Sequence, residues 1–497
     1  MDGPILVIDR DAALPIGVQL VDGLRRGILA GILRPDDPVP STRVLAAELG
    51  VSRSAVVAAY EQLAGEGYLE MRQGAPTRVA ALERGHPGAV AAHRPESRPD
   101  APDAAKRRES SAQAHAEPRS RPLEGSTGGG GPRIDLLPGR PSTARIDTRA
   151  WRSAWRHAAS LDIPSESPPA FGVAALREQV ADHLRQARGV ACAADDVVVT
   201  AGTSEALSLV AFALASLVGG DPAIAVEHPG YPSARRTLER RGARTPPVAV
   251  DADGIMVEAL RRMPQAPHAV MVTPSHQYPL GGRLPVAARL ELLAWASDVD
   301  AVVIEDDYDS EFRHLGPPLP ALASLDDGGR VVLVGSFSKV LTPWIRLGYL
   351  VLPPNAALRA AIAAIRDDEP CPVPGPAQDA AAALLASGAV RRHIAVTRRD
   401  YAHRRRLVIE ALGGLPGAPL SGLDGGLHAV IGLPDATTAD VVVARLAAQG
   451  VAVAQLAEYS AVPGDEPAGI VFGYAGPGDT LLAEGLARIR DAIIAAI

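Results

Sequence analysis

Val, Ile and Ala recur in short, nearly unbroken runs at 196–200, 223–227, 268–273, 301–304 and 331–334. A run that is apolar throughout, not at alternate positions, reads as a strand buried on both faces. That is the pattern of a largely parallel sheet with helices on either side. Stretches of helical periodicity separate the runs, so the class is α/β. Each run leads into Gly, Pro, Ser, Asp, Tyr or Lys: Ala201-Gly-Thr-Ser-Glu-Ala, His228-Pro-Gly-Tyr-Pro, Pro274-Ser-His-Gln-Tyr-Pro-Leu-Gly, Glu305-Asp-Asp-Tyr-Asp and Gly335-Ser-Phe-Ser-Lys. Ligand sites in open α/β sheets collect at the carboxyl ends of the strands. Several strand ends suited to one ligand say more together than any one of them.

Of the 50 lysine and arginine residues only two are lysine, Lys106 and Lys339. Arginine replaces lysine in most surface work, but its guanidinium stays protonated and forms no Schiff base. An amine kept just after the run 331–334 therefore points to covalent chemistry with a carbonyl. The neighbouring strand ends complete a site for pyridoxal 5'-phosphate. Lys339 would carry the cofactor as a Schiff base. Asp306 would pair with the pyridinium nitrogen through a charge-assisted hydrogen bond, and Tyr308 would bond the phenolic oxygen. Tyr231 would stack on the ring. Gly202, Thr203 and Ser204 open a helix and would cradle the phosphate with amides and hydroxyls. Ser336 and Arg346 would complete that cradle, Arg346 as a bidentate partner.

At 497 residues the chain exceeds one ordinary core. It contains no apolar run long enough to span a membrane and no secretory signal at its start. Cys192 and Cys371 stand far apart, which argues for a reducing cytoplasm and against a disulfide or zinc framework; no metal site is expected. The net charge of −7 means that any DNA contact comes from a local patch.

Residues 1–82 read as a small helical domain. A helix over Leu20–Ala30 carries Arg25 and Arg26 as a solvated face. A second helix, capped by Ser41 or Thr42, runs to Leu49. Gly50-Val51 turns the chain, and Ser52 caps a third helix, Arg53–Glu66. Two helices joined by a tight glycine turn make a helix-turn-helix, and the strand-like stretches 67–74 and 77–79 make a wing. Ser52-Arg53-Ser54 then sits at a helix N-terminus, where base edges and phosphates are met. Residues 83–132, rich in Pro, Ala, Ser, Arg, Glu and Gly, read as a flexible linker. Residues 133–497 hold the α/β portion, with a smaller α+β part from about 372. There, helices over 377–387 and 391–411 precede a strand from Gly425, and His428 is read as structural.

The stretch Pro40-Ser-Thr-Arg-Val-Leu-Ala-Ala-Glu-Leu-Gly-Val-Ser-Arg-Ser54 and its continuation to Tyr68 resemble the winged helix-turn-helix of GntR-type regulators. That resemblance implies double-stranded operator DNA as partner, with Arg43, Ser52, Arg53 and Ser54 in contact. Residues 133–497 resemble the fold-type I, pyridoxal-phosphate-dependent aminotransferases through Glu-His-Pro-Gly-Tyr-Pro (227–232), Thr-Pro-Ser-His-Gln-Tyr-Pro-Leu-Gly (273–281), Glu-Asp-Asp-Tyr-Asp-Ser-Glu-Phe-Arg (305–313) and Ser-Phe-Ser-Lys (336–339). The two halves together resemble MocR/GabR-type regulators. The implied molecule is a head-to-tail homodimer that senses pyridoxal phosphate itself, or an amine or amino acid, through the bound cofactor. The alternative is a working aminotransferase with an appended DNA-binding domain.

Three departures bear on that choice. Tyr278-Pro-Leu-Gly281 stands where aminotransferases carry Asn-Pro-x-Gly. Pro168-Pro-Ala-Phe-Gly172 replaces a tyrosine-containing stretch. In Val471-Phe-Gly-Tyr-Ala475 a valine stands where the arginine for a substrate carboxylate would be. A carboxylate buried against apolar side chains costs several kcal/mol, so an ordinary α-amino acid is a poor fit.

Overall fold

The computed structural model describes residues 8, 16–29, 32–65, 67–71, 76–80, 134–314 and 320–497. The linker expected over 83–132, with Lys106, and residues 72–75 of the wing lie outside the described residues.

In the N-terminal domain, α1 (Ile16–Leu29) begins earlier than its expected start at Leu20. α2 (Thr42–Leu49) is capped by Ser41, whose hydroxyl accepts from Val44 N at 3.3 Å. Gly50, at φ 62°, ends it in the left-handed conformation that glycine adopts without strain. α3 (Arg53–Gly65) follows at once, and Ser52 Oγ accepts from Ala55 N at 3.2 Å. Two short strands, β1 (Leu69–Glu70) and β2 (Arg78–Val79), pair antiparallel as the base of the wing. Leu20, Leu24, Leu45, Val56, Leu63 and Tyr68 form the buried centre. Arg25 corrects the expected solvated face. It is buried, donates to Asp22 Oδ1 at 2.7 Å and lies 5.9 Å from the Tyr68 ring centroid. An arginine stem covers apolar surface while its head finds an acid and an aromatic face. Arg26 is exposed as expected.

The α/β portion is organised on an eight-stranded sheet in the order 197–200, 348–351, 331–336, 302–307, 269–272, 224–228, 247–251, 254–255. The strands from 331–336 through 247–251 run parallel; Gly348–Val351 pairs antiparallel with both its neighbours. Two of the expected strands are longer than their apolar runs. Val302–Asp307 takes in the three acids, and Val331–Ser336 takes in Gly335 and Ser336. The acids stay in the strand because each flank finds partners. The Glu305 carboxylate accepts from Leu322 N and Ala323 N at 2.7 and 2.8 Å, and Asp307 pairs with buried Arg188 at 2.7 Å.

Helices Gly375–Ala386 and Ala389–Leu412 lead to a four-stranded antiparallel sheet in the order 420–421, 428–432, 469–473, 454–455. Its second strand starts at His428 rather than Gly425, because Gly426 turns the chain at φ 72°. Among the described residues no helix is long and apolar enough to cross a membrane.

Gly335 shows how tightly the sheet is packed where it delivers Lys339. A Cβ built there would lie 2.1 Å from the buried Tyr349 ring. Gly335→Ala is therefore expected to cost about 1–3 kcal/mol of stability, as overpacking does. A lowered urea midpoint at unchanged slope would show it.

Candidate functional site

A cavity of about 230 Å3 opens at the carboxyl ends of the parallel strands. Every residue assigned to the cofactor from sequence lines it: Gly202, Thr203, Ser204, Tyr231, Asp306, Tyr308, Ser336, Lys339 and Arg346. Their stretches are far apart in the chain, and the parallel register brings their ends together. Sequence reasoning missed Pro138, Gly139, Thr273 and Leu427 at the wall, and His428 lines it as well as being structural. Its Nε2 donates to Pro279 O at 2.9 Å, and burial pushes its imidazole down to about 4, which keeps it neutral.

Lys339 follows the end of its strand and turns its amine into the cavity, where Nζ donates to Gly139 O at 2.5 Å. Burial lowers its ionisation below the ordinary lysine range, against the opposing pull of Asp309 and Asp306. A less protonated amine is a better nucleophile toward a carbonyl. Gly139 is at φ 81°, and a Cβ there would stand 2.8 Å from Nζ. The sole sequence signal for this close approach is the dipeptide Pro138-Gly139, which announces a turn and nothing about its neighbour.

Asp306 is 3 % exposed, and burial, reinforced by Asp307 and Asp309, pushes its carboxyl up to about 8. Its Oδ1 has no hydrogen-bond partner among the described residues. A buried carboxylate oxygen left unsatisfied is rare and costly. It faces a need for a positively charged N–H donor, which a pyridinium nitrogen meets.

At the other end of the cavity, Gly202 holds φ 87° and ψ 179°, a region essentially reserved for glycine. The helix Thr203–Val218 starts immediately after it, so free backbone amides and the Thr203 and Ser204 hydroxyls point to an anion's place. Arg346, at φ 50°, is a non-glycine residue in the left-handed region; its Nη2 donates to Ala201 O at 3.1 Å beside this cradle. Strain of that kind costs on the order of 1–3 kcal/mol and gathers at ligand sites. The donor set fits a phosphate.

The third wall is aromatic. Tyr278, in the place expected of an asparagine, packs edge-on to Tyr231 at 5.6 Å and to Tyr308 at 5.6 Å between ring centroids. Its hydroxyl is 3.1 Å from that of Tyr459. Val471 is fully buried in an apolar cluster with Val430, Ala454, Leu456 and Tyr459, against which Leu137, Tyr278 and Leu280 pack. Among the described lining residues, Arg346 at the cradle is the single guanidinium.

In the N-terminal domain Ser52, Arg53 and Ser54 are exposed at the start of α3, and Arg43 is exposed on α2. Ser52 Oγ and Ser54 Oγ lie 3.1 Å apart.

A winged helix joined to an aminotransferase-type sheet defines a class of DNA-binding protein whose second half is built like an enzyme. Residues 17–79 match the model of the bacterial regulatory proteins of the gntR family, and residues 134–469 that of aminotransferase class I and II. The chain is 41 % identical over 479 residues to the HTH-type pyridoxine biosynthesis transcriptional regulator PdxR of Corynebacterium glutamicum, covering 96 % of each chain. It is 34 % identical to the probable rhizopine catabolism regulatory protein MocR of Rhizobium meliloti, over 99 % of this chain and 96 % of that one. Among solved structures, a kynurenine aminotransferase of Pyrococcus horikoshii in complex with PMP superposes with a TM-score of 0.65 at 25 % identity, over 73 % of this chain and 91 % of that one. An archaeal alanine:glyoxylate aminotransferase shares the fold, with a TM-score of 0.67 at 24 % identity, over 74 % and 92 %. The chain belongs to the MocR/GabR-type transcriptional regulators of the gntR family.

The unpartnered Asp306 makes a pH-dependent prediction for the cofactor-free protein. Its folded carboxyl ionises near 8, above the ordinary value of 3.8, so the native state holds a proton that the unfolded chain has released. Asp306 therefore contributes stability that is present below about 4 and lost as pH rises through about 8. Asp306→Asn, neutral throughout, should lose less thermal stability than the parent between pH 5 and 8. Parallel melting profiles would contradict this.

Proposed function

We propose that this regulator reads its signal through pyridoxal 5'-phosphate held on Lys339. The observation that carries the reading is convergence. The lone lysine of the described residues, an unpartnered buried carboxylate, a glycine-opened helix N-terminus and a left-handed arginine all face one cavity. Lys339 Nζ would hold the cofactor covalently, and Asp306 Oδ1 would accept from the ring N–H. Gly202, Thr203, Ser204, Ser336 and Arg346 would bind the phosphate, Tyr231 would cover a ring face, and Tyr308 would donate to the ring oxygen. Bound pyridoxal phosphate supplies a carbonyl-derived carbon that amines attack and a protonated ring that draws electrons from it.

The effector follows from what surrounds that ring. Val471 stands in an apolar cluster against Tyr278, and among the described lining residues Arg346 at the phosphate cradle is the single guanidinium, so an α-carboxylate finds no second one there. The cofactor itself fits the cavity's charges better than an amino acid does, so the protein senses vitamin B6 status, with amines as the next class. A working aminotransferase would require sustained exchange between an amino donor and a 2-oxo acid, and turnover is the discriminating assay.

The protein acts in the cytoplasm as a head-to-tail homodimer on operator DNA. Trp344, 92 % exposed beside the cavity residue Pro343, supports burial of this rim against a second copy. Arg53, Ser52 and Ser54 at the start of α3, with Arg43 on α2, contact the operator. The DNA-binding domain is assigned to 1–82 and the cofactor-binding domain to 133–497, its smaller portion from about 372, with 83–132 as the linker between them.

Lys339→Ala should abolish borohydride trapping of the cofactor and its visible absorbance band, and remove the effect of pyridoxal phosphate on operator binding. Trapping that persists on another amine would overturn the assignment. Arg53→Ala should weaken operator binding by about tenfold or more while leaving the cofactor spectrum intact. Unchanged affinity in a gel-shift titration would move recognition to another element.

A further inference from the structure

Behind the aromatic wall, buried polar groups surround His276. Tyr308 Oη lies 2.9 Å from His276 Nδ1 and donates to the His276 carbonyl oxygen at 3.0 Å. The same Nδ1 faces Asp309 Oδ2 at 2.9 Å. His276 is 4 % and Asp309 2 % exposed. A carboxylate is acceptor-only, so Asp309 fixes the proton on Nδ1. Tyr308 Oη then shares that N–H as an acceptor; its one proton goes to the His276 carbonyl oxygen in this geometry and is the proton that would turn to a ring oxygen placed in the cavity.

His428, 5.1 Å away between ring centroids, completes a trio that resembles a metal ligand set. His276 Nδ1 is committed to Asp309 and His428 Nε2 to Pro279 O, while His276 Nε2 has no hydrogen-bond partner among the described residues, and the cluster reads as a hydrogen-bond network.

We propose that His276, oriented by Asp309, is a positioning residue for Tyr308: it holds the Tyr308 hydroxyl as a donor toward the cofactor's ring oxygen and so sets the pH at which Lys339 Nζ gives up its proton. The proposal rests on the cofactor reading above. Tyr278 stands where an amide donor is expected, and its hydroxyl is engaged with Tyr459, which leaves Tyr308 to serve the ring oxygen. A hydroxyl whose oxygen already accepts an N–H is a stronger donor. Drawing charge from the ring oxygen loosens a proton held between that oxygen and Lys339 Nζ.

The charged and titratable groups around the network are few. Asp309 and Asp424 act on His276, and burial works against its charge, yet its ionisation stays above the histidine range. Asp309, Tyr278 and Asp306 act on Tyr308, and Asp309 and Asp306 on Lys339. Arg283 and Arg313 line a smaller cavity on the far side of His276.

The test titrates the visible absorbance of the pyridoxal-phosphate-loaded protein against pH. It compares the parent with His276→Gln, His276→Asn, Tyr308→Phe and the Tyr308→Phe, His276→Gln double variant. The midpoint should rise by about one pH unit in each single variant, and His276→Gln should add nothing once Tyr308 is Phe. If one His276 variant does not fold, the other gives the reading. Loaded His276 variants with the parental midpoint would overturn the proposal, as would an equal rise on top of Tyr308→Phe. A parent protein that forms no band would bring down the cofactor reading itself, a separate result.

Discussion

Burying two ionisable groups of opposite type at one sheet edge is the constraint on which this structure turns. Lys339 and Asp306 are both withdrawn from water without a direct ion pair to each other, and each is displaced toward its neutral form. Such groups are stable only in surroundings rigid enough to forbid their escape to solvent. The eight-stranded sheet supplies that rigidity. Its central strands are fully covered, and Gly335 is packed against Tyr349 so closely that no side chain fits. Restoring a partner to Asp306 Oδ1 and an anion to the Gly202 cradle would relieve both costs at once, which ties cofactor occupancy to stability.

The three consecutive acids 305–307 show how a strand sorts one charge type into three uses. Side chains alternate across a strand, and each acid meets a different environment. Glu305 caps backbone amides at Leu322 and Ala323, Asp307 is held by Arg188, and Asp306 alone is left with an unsatisfied oxygen in the cavity. The same alternation puts Val471 among apolar neighbours and not in the cavity lining. A fold shared with enzymes thus keeps a cavity suited to a cofactor, in which Arg346 is the single guanidinium among the described lining residues.

Much of this was legible beforehand, and the reasons differ by element. Fully buried parallel strands leave unbroken Val and Ile runs, so their existence could be read, and turns at Gly50 and the cap at Ser52 are local chemistry. Strand ends were less legible. Val302–Asp307 absorbed three acids because Arg188 and the amides at 322 and 323 come from distant stretches. Arg25 was misread for a like reason: Asp22 lies within its own helix, but Tyr68 arrives from β1's approach. Gly139 announced only a turn and His276 carried no local signal of its role, since their importance is contact with Lys339 and Tyr308.

By itself the sequence determined the fold class, the helix-turn-helix, and the group of residues that come to line one cavity with Lys339. Those follow from periodicity, local turn chemistry and the near-absence of lysine, which act over a few residues or over composition. Only the tertiary structure decided which acid of 305–307 faces the cavity unpaired, that Gly139 abuts the lysine, and that Asp309 and His276 stand behind Tyr308. Each of these depends on desolvation and on distances between residues far apart in the chain, and both exist only once the sheet has closed over them.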